Sequence, residues 1–240
     1  SLQQNEQALS LRLEDLPAGE SRGVYRRVQY DLRRYRRLQL FAHAEALLGD
    51  LTGLGDGDMT LFVRLGSDHT QHYYEYSIPL TLTPAGRYSS LSPSDRRRVW
   101  PEENSIDLSL EDLVSLKRSR NASLSAGLGG ASLYRPFSRP DAKHPTHTLT
   151  VLGNPSLSSV RALVIGVRNS AGLTRSVEVW VNELRASDYH EEAGWAGQLH
   201  STLQLAELGE ASLRAQYVSA GFGAIDAPLM SRTLESRRAI

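Results

Sequence analysis

Apolar residues recur at every second position along most of this chain, the period at which a strand turns alternate side chains to one face. Leu38, Leu40, Ala42 and Ala44 make one such face, and Met59, Leu61, Val63 and Leu65 another. Tyr74, Tyr76, Ile78 and Leu80 come next, with Pro79 suited to a strand end. Leu163, Ile165 and Val167, then Val177, Val179 and Val181, complete the set. Short alternating runs separated by Gly, Pro, Asp and Ser clusters predict an antiparallel, jelly-roll-like β-sandwich over residues 1–194, its body at roughly 5 to 190. One helix of two turns is expected where Ser109 can cap and Asp112 stands three residues later, with Leu110, Leu113, Val114 and Lys117 following the cap. Residues from about 118 to 147 predict a long loop, because Asn121 to Gly130 lacks charge and periodicity and Pro136, Pro140 and Pro145 punctuate the stretch after it.

The pattern changes character at Trp195. From there Trp195, Gly197, Leu199, Ser201, Leu203 and Leu205 alternate with Ala196, Gln198, His200, Thr202, Gln204 and Ala206. Glu207 to Glu210 interrupt with turn chemistry, after which Ala211, Leu213, Ala215 and Tyr217 oppose Ser212, Arg214 and Gln216. Two strands of about ten residues result, the length at which one strand of an outer-membrane barrel crosses a bilayer. A surface hairpin of a soluble sheet shows the same alternation, so the pattern leaves both open. In the membrane case residues 195–240 are barrel strands. Trp195, Leu199, Leu203, Leu205, Leu213 and Tyr217 then face lipid or a partner, and Gln198, His200, Thr202, Gln204 and Arg214 face a wet lumen.

With 27 basic and 27 acidic residues the formal charge is zero, which lacks the basic footprint of a nucleic-acid binder. Charge is clustered all the same: Arg22, Arg26, Arg27, Arg33, Arg34, Arg36 and Arg37 surround a single acid, Asp31, in a segment read as extended. Such a run is ordinarily a solvated face, though it could also serve a nucleic acid, a lipid headgroup or an acidic protein. The chain has no cysteine, which excludes a disulfide framework and a thiolate zinc site. It starts abruptly at Ser1 without an apolar leader and is read as a fragment of something larger.

No catalytic constellation emerges, and no metal or cofactor is expected. Gly53, Gly55 and Gly57 among Asp50, Asp56 and Asp58 could suggest a calcium loop but lack its terminal Glu, so a hairpin connection is favoured. Gly127, Gly129 and Gly130 have neither the strand nor the helix of a phosphate cradle. Asp68, His69 and His72, and His144 with His147, lack the helical context that would set paired histidines on one face. His190, Glu191 and Glu192 begin a zinc-protease motif that Gly194 and Trp195 do not complete. Asn121-Ala122-Ser123 is a formal glycosylation acceptor. Tyr73, Trp100 and Phe137 could pave a sugar platform if exposed and coplanar, whereas Tyr74 and Tyr76 read as core. A carbohydrate-binding module of a cell-surface protein is therefore the alternative function.

Five stretches carry a more specific likeness: VYRRVQYDLRRYRRLQLFAHAE from Val24 to Glu45, RLGSDHTQHYYEYSIPL from Arg64 to Leu80, VWPEEN from Val99 to Asn104, GNPSLSSVRALVIGVRN from Gly153 to Asn169, and Val177 to Gly197. In order and spacing the chain resembles the SprA/Sov family, the giant outer-membrane translocons of type IX secretion associated with gliding motility. It departs from that pattern at Ala186, where the family carries a larger apolar residue, and the small pair after Trp195 is here Ala196 and Gly197. The resemblance implies a segment of a translocon, structural or gating, with no chemistry of its own. The partners it implies are the rest of the barrel, a PorV-like shuttle, a plug protein and secreted cargo. The location it implies is the outer membrane, and the tight turn at Glu207 to Glu210 would place the sandwich on the extracellular side.

Overall fold

A computed structural model describes residues 9–47, 53–127, 130–187, 196–205, 209–218 and 237–239. Ten strands build the body: β1 (Leu9–Leu16), β2 (Ser21–Tyr30), β3 (Arg37–Ala46), β4 (Met59–Gly66), β5 (Tyr73–Pro79), β6 (Ser105–Ser109), β7 (Phe137–Pro140), β8 (Thr148–Leu152), β9 (Val160–Asn169) and β10 (Arg175–Ser187). They form a four-stranded sheet in the order β1-β10-β3-β6 and a six-stranded sheet in the order β2-β9-β4-β5-β8-β7. The pairings are nested and antiparallel: β1 with β10, β2 with β9, β3 with β6, β4 with β5. A long hairpin rolled up on itself pairs its strands in this way, which is the jelly roll. β8 and β7 extend the second sheet beyond β5.

The core is where the expected faces meet. Leu38, Leu40, Ala42 and Ala44 of β3 and Val177, Val179 and Val181 of β10 are buried, as are Met59, Leu61, Val63 and Leu65 of β4 and Tyr74, Tyr76 and Ile78 of β5. Each run contributes the one face its alternation dictates, and the extended reading of the arginine-rich segment holds across β2. β2 and β3 join through a turn whose Asp31 side chain accepts from the backbone and guanidinium of Arg33, which holds the Asp31 carboxyl below its usual range.

Two helices lie between strands. α1 (Pro93–Val99) was not legible from periodicity; it starts on Ser92, whose Oγ accepts the Asp95 N–H at 3.3 Å. α2 (Leu110–Ser125) corrects two expectations. It runs 16 residues rather than two turns, and Ser109 makes no side-chain cap. Ser109 is the last residue of β6, paired with Arg37, so the strand passes straight into the helix. The helix continues because Leu113, Leu116 and Arg120 are all buried. Arg120, with no exposed surface, donates to the Gly153 carbonyl at 2.5 Å, and Lys117 donates to that of Pro155 at 2.7 Å. The stretch expected as one loop from 118 to 147 is thus divided, its first part helical and its middle holding β7.

Beyond the body, β11 (Ala196–Leu205) and β12 (Gly209–Val218) form the expected hairpin, and β13 (Arg237–Ala239) adds to β12 in a separate three-stranded sheet. β12 begins at Gly209, so Gly209 and Glu210 belong to the ladder rather than to the turn.

Candidate interaction site

In the β11–β12 register Leu199 stands opposite Ala215, Ser201 opposite Leu213, Leu203 opposite Ala211 and Gly197 opposite Tyr217. Gln198 meets Gln216, His200 meets Arg214, Thr202 meets Ser212, Gln204 meets Glu210 and Leu205 meets Gly209. Opposed residues of an antiparallel pair share a face. Apolar or small positions are therefore aligned with their kind, and polar with polar. Trp195 and the motif at His190 to Glu192 lie outside the described residues.

The acids and histidines named from sequence serve loops. Asp68 accepts the N–H groups of Thr70, Gln71 and His72 at 2.8, 2.5 and 3.1 Å, closing the β4–β5 turn; these bonds outweigh burial and hold its carboxyl below the ordinary range. His69 stacks on Tyr25 at 5.0 Å, and His72 Nδ1 accepts the Asn154 N–H at 3.0 Å. In the glycine loop Asp58 holds the Gly55 N–H and pairs with Arg175, while Asp56 accepts from Leu82; Asp50 lies outside the described residues, as does Gly129. Asn121 sits within α2, its Oδ1 taken by Arg120. Among the described residues no cluster of three or more acids and histidines is placed to hold a metal ion.

A buried polar triad fixes the segment before β8. The Tyr76 hydroxyl lies 2.6 Å from Asp141 Oδ2 and 2.8 Å from His147 Nδ1, and His144 stacks on His147 at 4.9 Å. Burial pushes the Tyr76 hydroxyl far up and the His147 imidazole down. Burial also opposes the Asp141 carboxylate, but the Tyr76 hydroxyl, the Lys143 N–H and the two histidines overcome it and keep its pKa low.

The outward face of the six-stranded sheet is no ordinary wet surface. Glu75, its side chain 6 % exposed, is shared by Arg64 at 2.6 Å and Arg168 at 3.0 Å. The Arg64 guanidinium lies over the rings of Tyr73 and Phe62, and Phe62 lies across Gly166, where any Cβ would overlap the ring. The three rings named for a sugar platform stand apart: Tyr73 is under Arg64 on this face, Trp100 lies beside His43 of β3, and Phe137 packs against the core.

Sequence reading missed a groove along β6, the outermost strand of its sheet. Toward Ser109 there is a cavity of about 650 Å³ with Leu32, Tyr35, Leu110 and Leu157 among its lining. Arg33, Arg36, Arg37, Arg118 and Lys143 ring it against Asp107 and Glu111. Toward Ser105 a second cavity, about 670 Å³, carries Asp56, Glu102, Glu103 and Asp107 with Lys143 and two histidines. Asp107 and Lys143 line both, and Arg37 pairs with Asp107 at the boundary. The 3-10 turn Glu102–Asn104 is pinned by buried Asn104, whose amide exchanges two hydrogen bonds with the Thr81 backbone at 2.7 and 2.8 Å. These residues come from segments far apart in the chain, and only the arginine run hinted at them.

The fold and the site define an all-β protein whose described polar groups tie loops and sheet faces together. The chain belongs to the SprA_N family, motility related/secretion protein, whose model matches residues 1–240. No curated protein matches it.

Proposed function

We propose that this chain is a segment of a type IX outer-membrane secretion translocon of gliding motility, a structural or gating jelly roll joined to barrel strands, with no chemistry of its own. Membership in a secretion and motility family supports the role. The observation that carries the membrane reading is the hairpin of two strands, ten residues each, whose register aligns apolar positions with apolar ones. In this reading Leu199, Leu203, Leu213 and Tyr217 face lipid or a partner, and Gln198, His200 and Arg214 face the lumen. The remaining barrel, a PorV-like shuttle, a plug protein and cargo are its partners, and the jelly roll lies outside the outer membrane as a cap.

Introducing Leu203→Arg into the complete protein should impair barrel assembly by the roughly 2–4 kcal/mol that a cation costs on the lipid face, while Thr202→Arg should be tolerated. Equal tolerance at both positions in a heat-modifiability and protease-protection assay would reject the assignment of faces. Sidedness is read separately, from single cysteines at Asp56 and Asp141. Both should react with a membrane-impermeant reagent on intact cells, and labelling only after permeabilisation would remove the external cap.

A further inference from the structure

We infer that the groove along β6 is a docking site for an extended polypeptide segment carrying acidic residues ahead of basic ones. Three features converge. β6 closes its sheet on one side only, pairing with β3, so among the described residues its other edge has no strand partner. An unpaired edge presents backbone N–H and C=O groups that an incoming strand satisfies, with flanking pockets supplying selectivity. The two cavities share Asp107 and Lys143 in their lining, and β6 lines them in sequence: Ser105 and Asp107 the acidic one, Asp107 and Ser109 the basic one.

Charge then sets the chemistry of the occupant. In the basic half Arg36, Arg118 and Lys143 make no ion pair among the described residues, whereas Arg33 is held by Asp31 and Arg37 by Asp107. The acidic half offers Glu102 and Glu103, both exposed on the pinned 3-10 turn. A phosphate or a lipid headgroup would suit the first half and be repelled by the second. A polypeptide can carry both signs, and the lining of the basic end includes the apolar Leu32, Leu110 and Leu157 among its charges. Every strand pair of the jelly roll is antiparallel. A segment that continues this pattern runs from Ser109 toward Ser105 and meets the basic half first. Its acids therefore precede its bases, separated by roughly 13 Å, or about four residues at ~3.4 Å each. The inference stands on the groove alone and holds whether or not the hairpin enters a membrane.

The test uses the full chain and three fluorescently labelled peptides: EEVTVTRR, its charge-reversed counterpart RRVTVTEE, and EEVPVPRR, whose prolines cannot donate to a strand edge. Fluorescence anisotropy should show EEVTVTRR binding about tenfold more tightly than either of the others, the discrimination expected when like charges are forced together. The combined variant Arg36→Glu, Arg118→Glu, Glu102→Lys, Glu103→Lys, checked by near-UV circular dichroism for an intact fold, should reverse the preference toward RRVTVTEE. Equal binding of the two charge orders, an unchanged preference in the variant, or equal binding of the proline peptide would overturn the inference, as would binding of none of them. Displacement of EEVTVTRR by an equimolar amount of inorganic phosphate would likewise overturn it, showing a site for anions only.

Discussion

Tyr76→Phe removes one oxygen from the buried triad and leaves the ring in the core. That oxygen is 2.6 Å from Asp141 Oδ2 and 2.8 Å from His147 Nδ1, and Asp141 retains the Lys143 N–H at Oδ1, at 2.8 Å. A hydrogen bond to a charged group contributes about 1.5–3 kcal/mol, and a residue as buried as Asp141 cannot recover it fully from water. The expected loss is therefore about 2 kcal/mol, or roughly 4–8 °C in Tm for a domain of this size. The pH dependence has a definite sign. Asp141 titrates below its unfolded value, so its contribution is complete above the usual carboxylate pKa of about 3.9 and is lost as the pH falls through the folded value. His147 is held neutral by burial, so the unfolded chain takes up its proton first, and stability already falls as the pH drops below about 6.5. Thermal unfolding followed by near-UV circular dichroism at about pH 7.5, 5 and 2.5, either side of each step, should show the native protein losing stability in both. In the Tyr76→Phe variant the lower step should shrink, because the Asp141 carboxylate has lost the hydroxyl that favours it. A Tm within about 1 °C of the native value at pH 7.5, or additive effects of Tyr76→Phe and Asp141→Asn in a double-mutant cycle, would refute the coupling.

Two further substitutions, at Glu75 of β5 and at Gly153 just after β8, are each set against a control elsewhere in the chain. Glu75→Gln leaves Arg64 and Arg168 without their shared carboxylate and should cost about 2–4 kcal/mol in urea denaturation. By contrast Glu14→Gln, which breaks an ion pair with Arg12 whose side chains are both more than 60 % exposed, should change stability by less than about 0.5 kcal/mol. Gly153→Ala places a methyl group against the Gln71 carbonyl and the His72 ring at a positive φ of 64°, and should destabilise by about 2–3 kcal/mol, whereas Gly172→Ala, with open space around its Cβ, should be nearly neutral.

Most of the jelly roll was legible because a strand with one buried face declares itself by parity. Leu38, Leu40, Ala42 and Ala44 alternate with Gln39, Phe41 and His43, and Val177, Val179 and Val181 with Glu178 and Trp180, and the aliphatic set of each went to the buried face where that parity put it. Parity fails where both faces are covered. β5 is buried almost throughout, so Tyr73 and Glu75, which alternation turns outward, are nonetheless shielded by Arg64, Arg168 and the β4–β5 turn. The length of α2 was hidden for a related reason. Lys117 stood at the end of the expected two turns and Arg120 in the expected loop, but the carbonyls of Gly153 and Pro155, some thirty or more residues further on, satisfy both side chains inside. Burial lowers the pKa of both cations, as expected when donors find acceptors but no counter-charge. The triad of Tyr76, Asp141 and His147 and the groove beside β6 are tertiary in the same sense: each member is an ordinary residue locally, and its meaning arises only when distant strands bring it to a partner. Family membership was legible by a different route, in ordered stretches such as Arg64 to Leu80 whose shape no periodicity argument uses.

The topology also explains how such a domain can belong to a larger assembly without being held open by it. In a rolled hairpin the first and last strands are neighbours: Leu9 of β1 stands opposite Val181 of β10, and the two strands run antiparallel. The start of β1 and the end of β10 therefore lie toward the same end of the sandwich. Among the described residues β10 continues past Val181 on β3 alone, through a bulge between Asn182 and Arg185, until Ser187 pairs with Arg37 and its carbonyl accepts the Arg36 N–H at 3.1 Å. An element whose entry and exit strands pair with each other can sit between two segments of another structure with its own core closed, since neither flank has to supply a strand. The exit is placed beside Arg36 and Arg37, at the basic end of the β6 groove. A segment docked there would lie next to the point where the chain leaves the sandwich, which gives a bound partner a short physical route to the chain beyond Ser187.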